Sequence, residues 1–161
     1  MTREIKTIIH EFGSISELDQ EEKDLAFRAE KAAEKAYAPY SHFKVGASVL
    51  LDNGEIVDGS NQENAAYPSG ICAERVAISY ASATFPDIPI RMLAIAALNN
   101  EELTRDPVSP CGFCRQVMIE TELKQNSPLR IILVGKGKVQ VIDSARQLLP
   151  LYFDGSIFSS G

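Results

Sequence analysis

The stretch from Arg91 to Leu98 is almost entirely apolar, and it constrains the fold more than any other segment of this 161-residue chain. A strand exposed on one face alternates apolar and polar side chains, whereas a strand covered on both faces does not. Residues 91–98 therefore predict a central strand with helices above and below, and 129–134 repeats the pattern. Phe43, Val45, Ala47 and Val49 alternate as a half-buried strand does. Asp52-Asn53-Gly54 marks a hairpin turn, because Asn and Gly accept positive φ, and a return strand follows over about 55–61. A shorter strand is expected over 139–142, and a further one over 3–12 around Ile5, Ile8, Ile9 and Phe12.

Helices fill the intervals. Asp19 and Glu22 have capping-box spacing at the start of a helix over about 20–37, with Leu25, Ala29, Ala32, Ala33 and Ala36 on its small-residue face. Pro39 closes it. Further helices are expected over 72–85 and 112–123, and a short one over 144–149 before Pro150. This order predicts an α/β three-layer sandwich, a mixed sheet of about five strands flanked by helices. The length suits one domain over 1–161, with residues 1–18 as an N-terminal extension.

Composition narrows the partners. No apolar run reaches the roughly 20 residues of a membrane helix, and residues 1–10 lack the apolar centre of a secretory signal. A cytoplasmic protein with no membrane partner is expected. The net charge is -6, which repels phosphate backbones, so a nucleic-acid partner is not expected. Three cysteines form an odd set, unsuited to a closed disulfide framework.

The cysteines carry the chemistry. Cys111 and Cys114 stand three residues apart at the start of a predicted helix, where i and i+3 share a face. Cys72 stands at the start of another, and Glu74 lies two residues on. Three thiolates at two helix starts would hold Zn2+ tetrahedrally, with helix amides favouring the thiolate form. Structural zinc sites usually close with four protein ligands; three leave a place for water, and zinc lowers the pKa of that water to about 7. Glu74 could then move protons. Arg75 and Arg115 adjoin the ligands, and at least one of them is expected to donate a hydrogen bond to a ligand sulfur. Other readings stay open on the residues alone: a structural zinc knuckle, three buried free thiols, or a redox pair at Cys111 and Cys114.

Several segments carry a resemblance. They are Tyr40-Ser41-His42-Phe43-Lys44-Val45-Gly46-Ala47, Asn61-Gln62-Glu63-Asn64-Ala65-Ala66-Tyr67, Ile71-Cys72-Ala73-Glu74-Arg75-Val76-Ala77, Pro110-Cys111-Gly112-Phe113-Cys114-Arg115-Gln116, and Leu148-Leu149-Pro150 with Phe153. A cysteine or histidine, a non-ligand Glu two residues on, and P-C-x-x-C is the zinc-deaminase signature. The chain resembles the short-chain zinc-dependent cytidine deaminases from about Tyr40 to Phe153. It departs at Val76, where the family usually has Thr, and at residues 1–18.

The resemblance implies hydrolytic deamination of cytidine and deoxycytidine to uridine and deoxyuridine, with release of ammonia, in pyrimidine salvage. Zinc-bound hydroxide would attack C4, with Cys72, Cys111 and Cys114 as ligands and Glu74 as proton shuttle. Asn61 and Glu63 would bind the ribose 3′-hydroxyl, Phe43 would pack on the pyrimidine, and the Ala73 backbone would read the base with Glu74. It further implies a homotetramer in which Ala65, Tyr67 and Phe153 reach a neighbour's site, Phe153 covering the base. Deaminases of free bases or of nucleic acid, and a non-catalytic zinc-stabilised binding protein, are the rival functions.

Overall fold

The computed structural model describes residues 1–158; residues 159–161 of the expected 1–161 unit lie outside the described residues. The strands are β1 (His10–Phe12), β2 (Phe43–Leu51), β3 (Ile56–Ser60), β4 (Ile90–Asn99), β5 (Glu102–Leu103), β6 (Arg130–Val134) and β7 (Val139–Ile142). The helices are α1 (Gln20–Glu34), α2 (Ala73–Thr84) and α3 (Gly112–Gln125). One mixed sheet runs β1-β7-β6-β4-β2-β3, with β5 paired to β4 off this path.

β4 holds the middle, antiparallel to β2 and parallel to β6. Its two faces bury different layers. Leu93 and Ile95 join Ala77, Ile78, Met118 and Ile119 of α2 and α3. Met92, Ala94 and Ala96 join Leu25, Ala26 and Ala29 of α1. The unbroken apolar run is thus explained by burial on both sides, and full burial of each large side chain contributes about 1.5–3 kcal/mol.

Two glycines let the helices come close. A Cβ on Gly46 of β2 would stand 2.0 Å from the Ala29 carbonyl oxygen of α1. A Cβ on Gly59 of β3 would stand 2.6 Å from the Ala73 carbonyl oxygen of α2. The hairpin between these strands turns at Gly54, whose φ is +87°, while the Asn53 side chain accepts from the Glu55 amide.

Some expectations need correction. The expected mixed sheet flanked by helices is present with seven strands; β1 lies within the strand expected over 3–12, and β5 is the one not anticipated. The strand expected over 3–12 pairs only over His10–Phe12, because β7 offers it only three partners, Val139 to Val141. α1 stops at Glu34 rather than near 37, since the Tyr37 amide donates to the Asn61 carbonyl and the Tyr37 carbonyl accepts from Glu63. The helix expected over 144–149 is a single 3-10 turn, Ala145–Gln147. No helix among the described residues is long and apolar enough to cross a membrane.

Candidate metal centre and adjoining cavity

α2 and α3 pack on the same face of the sheet, and their N-termini meet. Cys72 is the N-cap of α2 and Cys111 the N-cap of α3; neither side chain caps its own helix. Cys114 lies buried in the first turn of α3. The Cys111 sulfur is 3.9 Å from that of Cys72 and 3.5 Å from that of Cys114. All three sulfurs lie within 4.8 Å of one another, and among the described residues no histidine or carboxylate joins the group.

These spacings can be tested against zinc. Sulfurs at about 2.3 Å from a tetrahedral ion stand about 3.8 Å apart. The distances from Cys111 to its two neighbours, 3.9 and 3.5 Å, bracket that value. Proton sharing points the same way: a hydrogen bond with Cys114 lowers the Cys72 thiol to about 6. That bond and burial raise Cys114. A divalent cation would take the place of the shared protons.

Glu74, in the first turn of α2, is only 4% exposed. Burial raises its carboxyl above the ordinary range, opposed by hydrogen bonds to its own amide and to Cys114 and by the charge of Arg75. Arg115 departs from expectation. Its Nε donates to the Pro110 carbonyl and its Nη1 to the Leu148 carbonyl, each at 2.8 Å, rather than to a sulfur. Arg75 acts on Cys72 and Glu74 through its charge.

A cavity of about 490 Å³ adjoins the cluster, with Cys72 in its wall beside Tyr40, Ser41, Asn61, Glu63 and Tyr67. The loop bearing most of this lining is tied at its base by the Gln62 and Ile71 main chains, which exchange two hydrogen bonds. Glu63 accepts from the amides of Tyr40 and Ser41 and from the Ser41 hydroxyl. Those bonds, the hydroxyl's foremost, hold its carboxyl below the ordinary range. Asn61 accepts from the Val45 amide and donates to the Phe43 carbonyl. Between them His42 sits at φ 57°, in the left-handed region, and turns the chain from Ser41 into β2.

The remaining sequence candidates are more dispersed. Phe43, half-buried, begins β2, and Ala73 is wholly buried as the first residue of α2. Ala65 is exposed in the loop. Tyr67 is 75% exposed and meets Tyr40 edge-to-face at 5.9 Å. Phe153 is 61% exposed, and its carbonyl accepts from Gln116 at 2.8 Å. Ser41 and Gln116 escaped the sequence reading as site residues: their partners lie 22 and 37 positions away, and no local pattern announces them.

Fold and site together define an α/β sandwich with a three-thiol cluster able to hold a metal between two helix starts. The family model for the cytidine and deoxycytidylate deaminase zinc-binding region matches residues 19–127. Cytidine deaminase of Sporosarcina psychrophila is 44% identical over 96 residues, 60% of this chain and 66% of that protein. That of Halalkalibacterium halodurans is 45% identical over 90 residues, 56% and 64%. The matches thus span just under two thirds of these two relatives. The crystal structure of cytidine deaminase from Burkholderia pseudomallei aligns with TM-score 0.69 and 41% identity, covering 81% of this chain and 97% of that one. This chain belongs to the cytidine and deoxycytidylate deaminase family.

Proposed function

We propose that this protein is a zinc-dependent hydrolase that converts cytidine and deoxycytidine to uridine and deoxyuridine, for pyrimidine salvage in the cytoplasm. The observation that carries the reading is the three-thiol cluster: its spacing suits zinc, no fourth protein ligand joins it among the described residues, and a buried carboxylate stands beside it. When bound by Cys72, Cys111 and Cys114, zinc supplies Lewis-acid activation of water at neutral pH.

The chain's own groups do the rest. Glu74 takes a proton from the attacking water and delivers it to N3 of the pyrimidine. Glu74 then takes the remaining proton from the new C4 hydroxyl and hands it to the amine as the C4–N bond breaks, so C4 becomes a carbonyl and ammonia leaves with one water consumed. Burial supports this role, because it brings the carboxyl closer to neutral pH than an exposed glutamate. The Ala73 amide and Glu74 read the base edge, Phe43 packs on the ring, and Asn61 and Glu63 receive the ribose 3′-hydroxyl. In the free protein both of those side chains hold the 40–45 segment, so ribose would add to or replace these bonds. Arg75 offsets thiolate charge.

Assembly belongs to the same proposal. The whole chain is one deaminase domain, residues 1–18 its extension, and four copies complete each other's sites through Ala65, Tyr67 and Phe153. Exposed Tyr67, Phe113, Phe153 and Phe158 support it, Phe153 and Phe158 meeting edge-to-face at 6.0 Å, since large apolar side chains left at a surface mark contact sites.

The deciding experiment measures ammonia release from cytidine, cytosine and a single-stranded oligonucleotide, with and without a zinc chelator. Turnover of cytidine alone, lost on chelation, is expected. Glu74→Gln should retain zinc and fold while turnover falls about a thousandfold. Near-normal turnover in that variant would refute the proton shuttle. Full activity in a monomer verified by sedimentation would refute the shared site.

A further inference from the structure

The first turn of α3 holds more than metal ligands. Arg115 and Gln116 follow Cys114 directly, and both reach main-chain carbonyls. One guanidinium bridges Pro110, the residue before Cys111, to Leu148. Gln116 takes the Phe153 carbonyl. Residues 148–154 form neither helix nor strand, so their carbonyls need partners from elsewhere. Leu148 is buried among α2 and α3, Leu149 and Tyr152 pack against that core, and Phe153 projects outward. Three hydrogen bonds from two consecutive residues therefore fasten a segment without secondary structure to the turn that carries two of the thiols.

We propose that Arg115 and Gln116 are positioning residues that tie segment 148–153 to the metal-ligating turn of α3, so that zinc retention and the placement of Phe153 are set together. The functional side of this coupling rests on the zinc and Phe153 roles proposed above. Arg suits the task because its rigid fork holds two carbonyls in fixed relation, which a lysine ammonium does not. Coupling of this kind is reciprocal: loss of zinc loosens the segment, and loosening the segment weakens the hold on zinc.

The test uses the full zinc-loaded chain and reads three things: amide hydrogen exchange over 148–154, zinc release to a chromogenic chelator, and KM and kcat for cytidine. In Gln116→Leu, exchange at 152–154 should quicken about fivefold, the value of one hydrogen bond, with KM raised and kcat little changed. Arg115→Met should hasten both exchange and zinc release. Arg115→Lys should resemble Arg115→Met, because charge survives while the fork is lost. A lysine variant equal to wild type would overturn the proposal in favour of simple charge compensation. Should the Arg115 variants not fold, zinc-stripped wild type takes their place: faster exchange over 148–154 is expected, and unchanged exchange overturns the coupling. Absence of cytidine turnover in wild type would sink the deaminase reading while leaving the exchange and zinc results to judge the tie.

Discussion

α1 begins differently from α2 and α3. At α1, Asp19 accepts from the Glu22 amide while Glu22 accepts from the Asp19 amide, so side chains satisfy the helix start. At α2 and α3 the N-cap positions are Cys72 and Cys111, and neither makes a side-chain cap bond. Asp, Asn, Ser and Thr are the stabilising choices there, commonly worth about 1 kcal/mol over a non-capping residue. One face of the sheet thus carries a helix closed for stability. The other carries two helices whose starts are left open, their sulfurs gathered on one point and their amides free to favour negative charge. Stability was given up where a cation is to be held.

The contrast can be broken most severely at the thiols. Cys111→Ser should leave the protein without bound zinc and without turnover, measured by metal analysis and ammonia release. Serine is also a good cap, so the metal-free variant should be more stable than metal-free wild type by about 0.5–1 kcal/mol in urea. A metal-free variant less stable than metal-free wild type would show that Cys111 stabilises its helix after all. Next in size are the two close approaches. Gly46→Ala should cost about 3 kcal/mol, because the added carbon meets the α1 backbone, and Gly59→Ala about 2 kcal/mol against α2. The second should also disturb zinc retention, since it presses on the first residue of α2; equal zinc retention in both variants would blunt the contrast between faces. The smallest effect belongs to Asp19→Ala, about 1 kcal/mol of stability with unchanged kcat and KM. A change in turnover there would mean that the capped helix is not independent of the site.

The same division governs what could be read in advance. β4, β6 and β7, the Asn53-Gly54 turn and the starts of all three helices follow from local patterns, because burial on one or both faces and capping chemistry act within a few residues. The cysteine cluster was legible for a similar reason: Cys111 and Cys114 share a turn, and Cys72 begins the neighbouring helix. What escaped was set by distant partners. α1 ends early because Tyr37 is drawn to Asn61 and Glu63. β5 arises because Asn100 and Glu101, both at positive φ without glycine, fold the chain back on β4. Arg115 stands beside a ligand in sequence yet serves carbonyls, one of them 33 residues away.

The sheet's margins carry a last consequence. One flank is the three-residue β1, the other the five-residue β3, where Asp58 is held by Arg28 and the Ser48 hydroxyl. Brief or charged outer strands offer poor templates for a foreign strand. Edge-to-edge pairing between sheets, and with it runaway stacking into fibrils, is therefore discouraged by the shape of the molecule itself.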